Sequence, residues 1–178
     1  MEQRNESFTG QTEPASQLLT FMSGRDCFAL EIKSIREIIE FDEVTRVPLM
    51  PLFIRGVINL RGAVVPVIDL KARLFGQEVT VGKRTCVVVV ELQHDDGLHE
   101  LGVLVDAVNE VIDLGPNDRT DAPQFGHSIR ADFIDYIAKV NGKLIIVLAL
   151  AKVLSIDEMA SLVSLAEQCT EDRHHAAI

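Results

Sequence analysis

The sequence contains no tryptophan, one tyrosine (Tyr136) and only three cysteines, Cys27, Cys86 and Cys169, in 178 residues. The odd cysteine count and the lack of any Cys-x-x-Cys spacing argue against a disulfide framework and for a reducing compartment. Cys27 and Cys86 fall within apolar runs, where a free thiol behaves as a small hydrophobe. Positive charge is scarce as well. Seventeen Lys and Arg face 27 Asp and Glu, a formal net charge of -10. Such a surface repels phosphate backbones and anionic lipid heads, so nucleic acid is not expected as a partner. No apolar run approaches the ~20 residues of a membrane-spanning helix. The opening stretch MEQRNESFTGQTEPASQ lacks the charged-then-apolar pattern of a secretion signal. The expectation is a cytoplasmic protein with no direct membrane insertion.

Enzyme signatures are missing too. Gly82-Lys83-Arg84-Thr85 approximates the end of a phosphate loop, but Gly76 is one residue too distant and Arg84 stands where Ser or Thr is required. There is no Gly-x-Ser-x-Gly elbow and no His-Glu-x-x-His pair. His94, Asp95, Asp96, His99 and Glu100 gather in QHDDGLHE, but Asp96-Gly97 at its centre reads as a solvated hairpin tip rather than a metal centre. His174 and His175 near the C-terminus lack further ligands in sequence. Asp132 and Asp135 flank a short strand start, and nothing near them suggests the cleft that acid–base catalysis needs. No catalytic residue, metal or cofactor is expected. The alternative to a binding module, a small enzyme or ligand-binding β-barrel, would require a concave polar pocket with convergent ionisable groups.

What the sequence does hold is a core and many short strands. Apolar residues make up 47% and charged residues 25%, enough to bury an interior. Residues 1–15 and 169–178 read as disordered tails around a folded domain spanning 16–168. Residues 18–22 and 27–32 flank Ser23-Gly24-Arg25-Asp26 as a hairpin. Ile32, Ile35 and Ile39 at helical spacing suggest a short helix over Lys33 to Ile38. Gly56–Leu60 and Ala63–Leu70 flank the turn Arg61-Gly62, and Pro66 belongs at an edge or a bulge. Residues 70–76 form a helical turn stopped by Gly76. The consecutive apolar run 86–92 demands burial on both faces, and 102–114 reads as a long strand or a bent strand pair. Asn141-Gly142 between apolar runs marks a hairpin. A capping box at Ser155 and Glu158 opens a last helix lined by Met159, Leu162, Val163 and Ala166. Turns every ~10 residues and few helices indicate an all-β fold.

One stretch, FIRGVINLRGAVVPVIDL (53–70), resembles the central signature of CheW-type coupling proteins. Gly56, Val57, Asn59, Leu60, Arg61, Gly62, Val65, Pro66, Asp69 and Leu70 carry the likeness. The segments 31–48 and 102–114 resemble the family in the same order. The resemblance implies two packed SH3-like five-stranded β-barrels with short helices and a C-terminal helix. It implies a non-catalytic adaptor between chemoreceptor cytoplasmic tips and the regulatory domain of the chemotaxis histidine kinase, recruited to receptor arrays at the membrane. It also implies an ion pair between Glu37 and Arg61 near the groove between barrels, and a receptor contact at Ile35, Glu37, Gly56, Val57, Asn59 and Arg61. Cys86 and Gly102 match positions of the kinase contact.

Overall fold

Tight turns set most of the strand pairing. The computed structural model describes residues 16–122, 129–155 and 157–158. The two tails, Cys169, His174, His175 and the apolar stripe from Met159 to Ala166 lie outside the described residues. β1 (Ser16–Ser23) and β2 (Asp26–Glu31) form the first hairpin. A 3-10 turn at Ile32–Ser34 leads into β3 (Ile35–Glu40). β4 (Ile54–Leu60) and β5 (Ala63–Asp69) are joined by Arg61-Gly62. Both turn residues have positive φ, 52° and 85°, as a two-residue hairpin turn of this hand requires. α1 (Leu70–Phe75) begins where the Asp69 side chain accepts the Ala72 N–H and ends at left-handed Gly76. β6 (Cys86–His94), β7 (Gly97–Val105) and β8 (Ala107–Leu114) follow. β9 (Arg119–Thr120), β10 (Ile134–Val140), β11 (Lys143–Leu148) and α2 (Leu150–Val153) complete the order. Asn141 and Gly142 between β10 and β11 have φ of 52° and 76°.

The strands form two sheets, ordered β8-β1-β2-β11-β10-β9 and β3-β6-β7-β5-β4. The sixth strand of the larger sheet, β9, is only two residues long. Pairings are antiparallel except β2 with β11 and β5 with β7. The middle of the chain builds one sheet, and the stretches before and after it build the other.

Buried side chains fall into three clusters, and their membership explains the architecture. Leu18, Ala29, Leu114, Tyr136 and Val147 fill a core belonging to the six-stranded sheet alone. Val67, Val79, Val87, Val89 and Leu104 fill one belonging to the five-stranded sheet alone. The largest cluster draws Phe21, Phe28, Leu30, Ile68, Val88, Val90, Val103 and Leu148 from both sheets. Each sheet therefore has two apolar faces, one wrapped around its own interior and one pressed on its neighbour, which is two small barrels sharing a seam. The run Val87–Val90 shows why its sequence does not alternate: successive valines point into the barrel and into the seam, and all four are buried.

Two local expectations change. The helix expected over 33–38 is a 3-10 turn followed by a strand, in which Ile35, Glu37 and Ile39 are half-buried while Arg36, Ile38 and Glu40 are exposed. The isoleucine spacing mimicked a helical stripe because the 3-10 turn shifts the phase before two-residue alternation begins. The turn of the β6–β7 hairpin is Asp95-Asp96 rather than Asp96-Gly97, since His94 pairs with Gly97. Pro66 lies in an interior strand, but the ladder to β7 starts only at Val67, so at Pro66 β5 is locally an edge. The stretch 102–114 is the bent pair, broken at Asp106. Its carboxylate accepts the Gly24 N–H at 2.7 Å, and its own N–H donates to the Met22 carbonyl at 3.1 Å. Among the described residues no helix is long and apolar enough to cross a membrane.

Candidate functional site

The signature hairpin β4–β5 presents two different faces. Cross-strand partners share a face, so Val57 with Pro66 and Asn59 with Val64 lie on one side, and Ile58 with Val65 and Leu60 with Ala63 on the other. Ile58 and Leu60 pack on the interior of the five-stranded barrel. Val57, Val64 and Pro66 line an open depression of about 840 Å³, as do Ala63, Val65 and Ile68 from β5 and Val47, Met50, Ile54, Leu98 and Leu101. Val64 is 72% exposed. The polar lining is confined to Glu91, His99 and Glu100.

The tip of the same hairpin closes the barrel. β3 and β4 are opposite edges of the five-stranded sheet, yet Arg61 Nη2 lies 2.9 Å from Glu37 Oε2 on β3. The chain leaving β3 makes the same crossing. Thr45 and Val57 exchange backbone hydrogen bonds of 3.0 and 2.8 Å. Arg61 remains 75% exposed and Glu37 25%, so the ion pair clasps the edges at the surface. Asn59 Oδ1 accepts the Gly62 N–H at 2.9 Å, which holds the turn that aims Arg61.

The sequence-predicted residues thus divide by what they touch. Val57, Asn59, Arg61 and Glu37 are brought together around the hairpin. Ile35 is half-buried and packs on the shared seam. Gly56 is buried, and a Cβ there would strike the Thr45 carbonyl and the Val44 side chain. The missing side chain admits the crossing strand. Gly102 is likewise buried, in β7 between β5 and β6, where a Cβ would come within 2.8 Å of Val87. Gly102 therefore carries a packing requirement of its own. Cys86 is half-buried at the start of β6. Cys86 and Gly102 belong to the same sheet as Val57.

Two arginines went unnoticed in the sequence. Arg55 Nη1 lies 3.3 Å from Asp69 Oδ2, with the Arg55 side chain 12% exposed and Asp69 fully buried. Asp69 also accepts the N–H groups of Ala72 and Val79 at 3.0 and 2.8 Å. The signature aspartate therefore fixes the start of α1 and the loop after it. Arg73, on α1, is held by groups near the C-terminal end of the described chain. Neither has a local sequence signal, because both partners are reached through folding.

The arrangement suits docking better than catalysis. Burial pushes the Cys27 thiol up from its ordinary value, against the Asn109 hydrogen bond, the opposite of an activated nucleophile. The depression is a largely apolar trough, and the hairpin that lines it carries the Arg61 clasp at its turn. A model of the CheW-like domain family matches residues 17–158. The chain belongs to the CheW-like domain family. It is 32% identical over 144 residues to the chemotaxis protein CheW of Klebsiella aerogenes, covering 81% of this chain and 84% of that one. It is 28% identical over 155 residues to CheW of Bacillus subtilis, with 87% and 97% covered. The crystal structure of the scaffolding protein TtCheW from Thermoanaerobacter tengcongensis superposes with a TM-score of 0.69 at 29% identity, covering 85% of this chain and 93% of that one. As a CheW-like protein the chain is a non-catalytic chemotaxis adaptor, and the small-enzyme alternative is not favoured.

Proposed function

We propose that this CheW-like chain couples the cytoplasmic tips of chemoreceptors to the regulatory domain of the chemotaxis histidine kinase, and is recruited through them to membrane-associated arrays. The observation that carries the receptor half is the outward face of the signature hairpin. A helical receptor hairpin offers an apolar stripe, and helix-in-groove docking needs a complementary aliphatic trough. Val57, Ile54, Val64 and Pro66 supply one, and the turn of the same hairpin carries Arg61, exposed and with a directional, bidentate-capable head group. Asn59, on the same face as Val57, fixes the turn, Gly56 admits the crossing strand, and Ile35 packs on the shared seam. For the kinase half, the half-buried Cys86 marks the contact region, and Gly102 acts on it through the spacing of β5, β6 and β7.

The test is reconstitution of receptor fragments, kinase and adaptor. Val57→Asp and Arg61→Ala are expected to abolish receptor-dependent kinase control while leaving kinase binding and the melting transition close to wild type. If both variants fold and sustain full receptor control, the assignment of this face is wrong.

A further inference from the structure

At the tip of the β6–β7 hairpin three donor side chains converge. His94 pairs with Gly97 and His99 with Leu92, so the two histidines share one face of the hairpin. Their rings meet edge to face, with centroids 5.8 Å apart. The turn folds Asp96 back over them. Its Oδ1 lies 3.0 Å from His94 Nδ1 and 2.6 Å from His99 Nε2. One donor atom from each of the three lies within 4.8 Å of the other two. On the far side of the ring, His94 Nε2 lies 3.1 Å from Asp157 Oδ1.

We propose that His94 Nδ1, Asp96 Oδ1 and His99 Nε2 bind a divalent transition-metal ion, Zn²⁺ foremost. Metal–ligand bonds of about 2.0–2.2 Å in a tetrahedral set place donor atoms about 3.3 Å apart. To admit the ion the 3.0 Å Asp96–His94 contact opens by about 0.3 Å and the 2.6 Å Asp96–His99 contact by about 0.7 Å, while the two histidine nitrogens, within 4.8 Å of each other, settle to the same spacing. Two imidazoles with one carboxylate select Zn²⁺, Ni²⁺ or Cu²⁺ over Ca²⁺ and Mg²⁺, which prefer all-oxygen sets. The exposed tip leaves the fourth position to water. Asp157 supplies the carboxylate that orients a ligating histidine through its second nitrogen. All three ligands come from a single two-residue-turn hairpin, so assembly of the site requires no other element. This site adjoins the docking face proposed above, because His99 also lines that depression, and its occupancy would tie the hairpin tip to the segment carrying Asp157.

Calorimetric titration of the full, tag-free chain with ZnCl₂ is expected to show one saturable site. His99→Ala and Asp96→Asn should each weaken it by about tenfold or more, with circular dichroism confirming that both variants fold. A His174→Ala/His175→Ala double variant, which removes the histidine pair near the C-terminus, should leave it unchanged. Co²⁺ should occupy the same site with a visible absorption band, and excess Ca²⁺ should not displace it. No saturable zinc binding, binding indifferent to both His99→Ala and Asp96→Asn, or binding lost in the double variant would each overturn the assignment.

Discussion

Arg73 grips Glu158 with both prongs of its guanidinium, Nη1 and Nη2 lying 3.0 and 2.9 Å from the two carboxylate oxygens, 85 residues along the chain. The same head group lies over the rings of Phe53 and Phe133, with centroids at 4.7 and 4.8 Å. Its Nε donates to the Val153 carbonyl at 2.9 Å. Only 8% of the side chain is exposed. One side chain thus joins the helix after the signature hairpin to the end of the other barrel.

Arg73→Ala should therefore destabilise the protein by about 2–4 kcal/mol, through lost charge-assisted bonds and ring contacts, discounted because Glu158 can return to water. Arg73→Lys keeps the charge but not the fork and should recover less than half of the loss. Urea unfolding of the three proteins measures both.

The same pair gives stability a pH dependence. The Arg73 guanidinium holds the Glu158 carboxyl below its ordinary value of 4.5. A carboxylate depressed in the folded state stabilises fully above its unfolded value, and that contribution disappears as pH falls through the folded one. Denaturant titrations from neutral pH downward should show the wild type losing stability below 4.5. Glu158→Gln should start lower at neutral pH and fall less steeply. A parallel acid limb in the two proteins would remove Glu158 from the explanation.

Glycine positions in the signature hairpin should respond unequally. Gly56 has φ of 148° and faces backbone, so Gly56→Ala should cost roughly 2–4 kcal/mol from strain and clash together. Gly62 has φ of 85° with open space around it, so Gly62→Ala should cost only about 1–2 kcal/mol. Thermal melts of the pair separate close approach from turn geometry.

The Glu37–Arg61 clasp should matter little to folding. With Arg61 three-quarters exposed, breaking the pair by Glu37→Gln should cost under about 1 kcal/mol and become silent at high salt. A loss much larger than that, insensitive to salt, would mean that the clasp is a structural support and not a surface feature.

Turn chemistry made much of this fold legible in advance. Arg61-Gly62 and Asn141-Gly142 needed left-handed backbone, and the residues that tolerate it were visible in the sequence. The unbroken Val87–Val90 run announced burial on both faces. The short strand β3 was not legible, because Ile32, Ile35 and Ile39 satisfy a helical period by way of a 3-10 turn. Within the site, the Glu37–Arg61 pair followed from the family resemblance. The burial of Gly56 and Gly102 did not, since a glycine looks the same in sequence whether it frees a turn or yields space to a neighbouring strand. Arg55 and Arg73 were invisible for a related reason: their partners are set by tertiary packing and no spacing rule connects them.

The insertion of the β3–β7 sheet between β2 and β8 along the chain has a consequence for how the protein is made. A ribosome releases β1 and β2 first, but the strands that flank them are produced late: Leu18 lies opposite Ile112, and Phe28 beside Ile146. Meanwhile β3 through β7 emerge as a contiguous set and have every partner in their sheet by Val105. The first hairpin to be translated therefore waits for β8 and β11 before its sheet is complete. Unpaired strand edges are what make incomplete chains aggregate, so this interval is where a nascent-chain chaperone is expected to act.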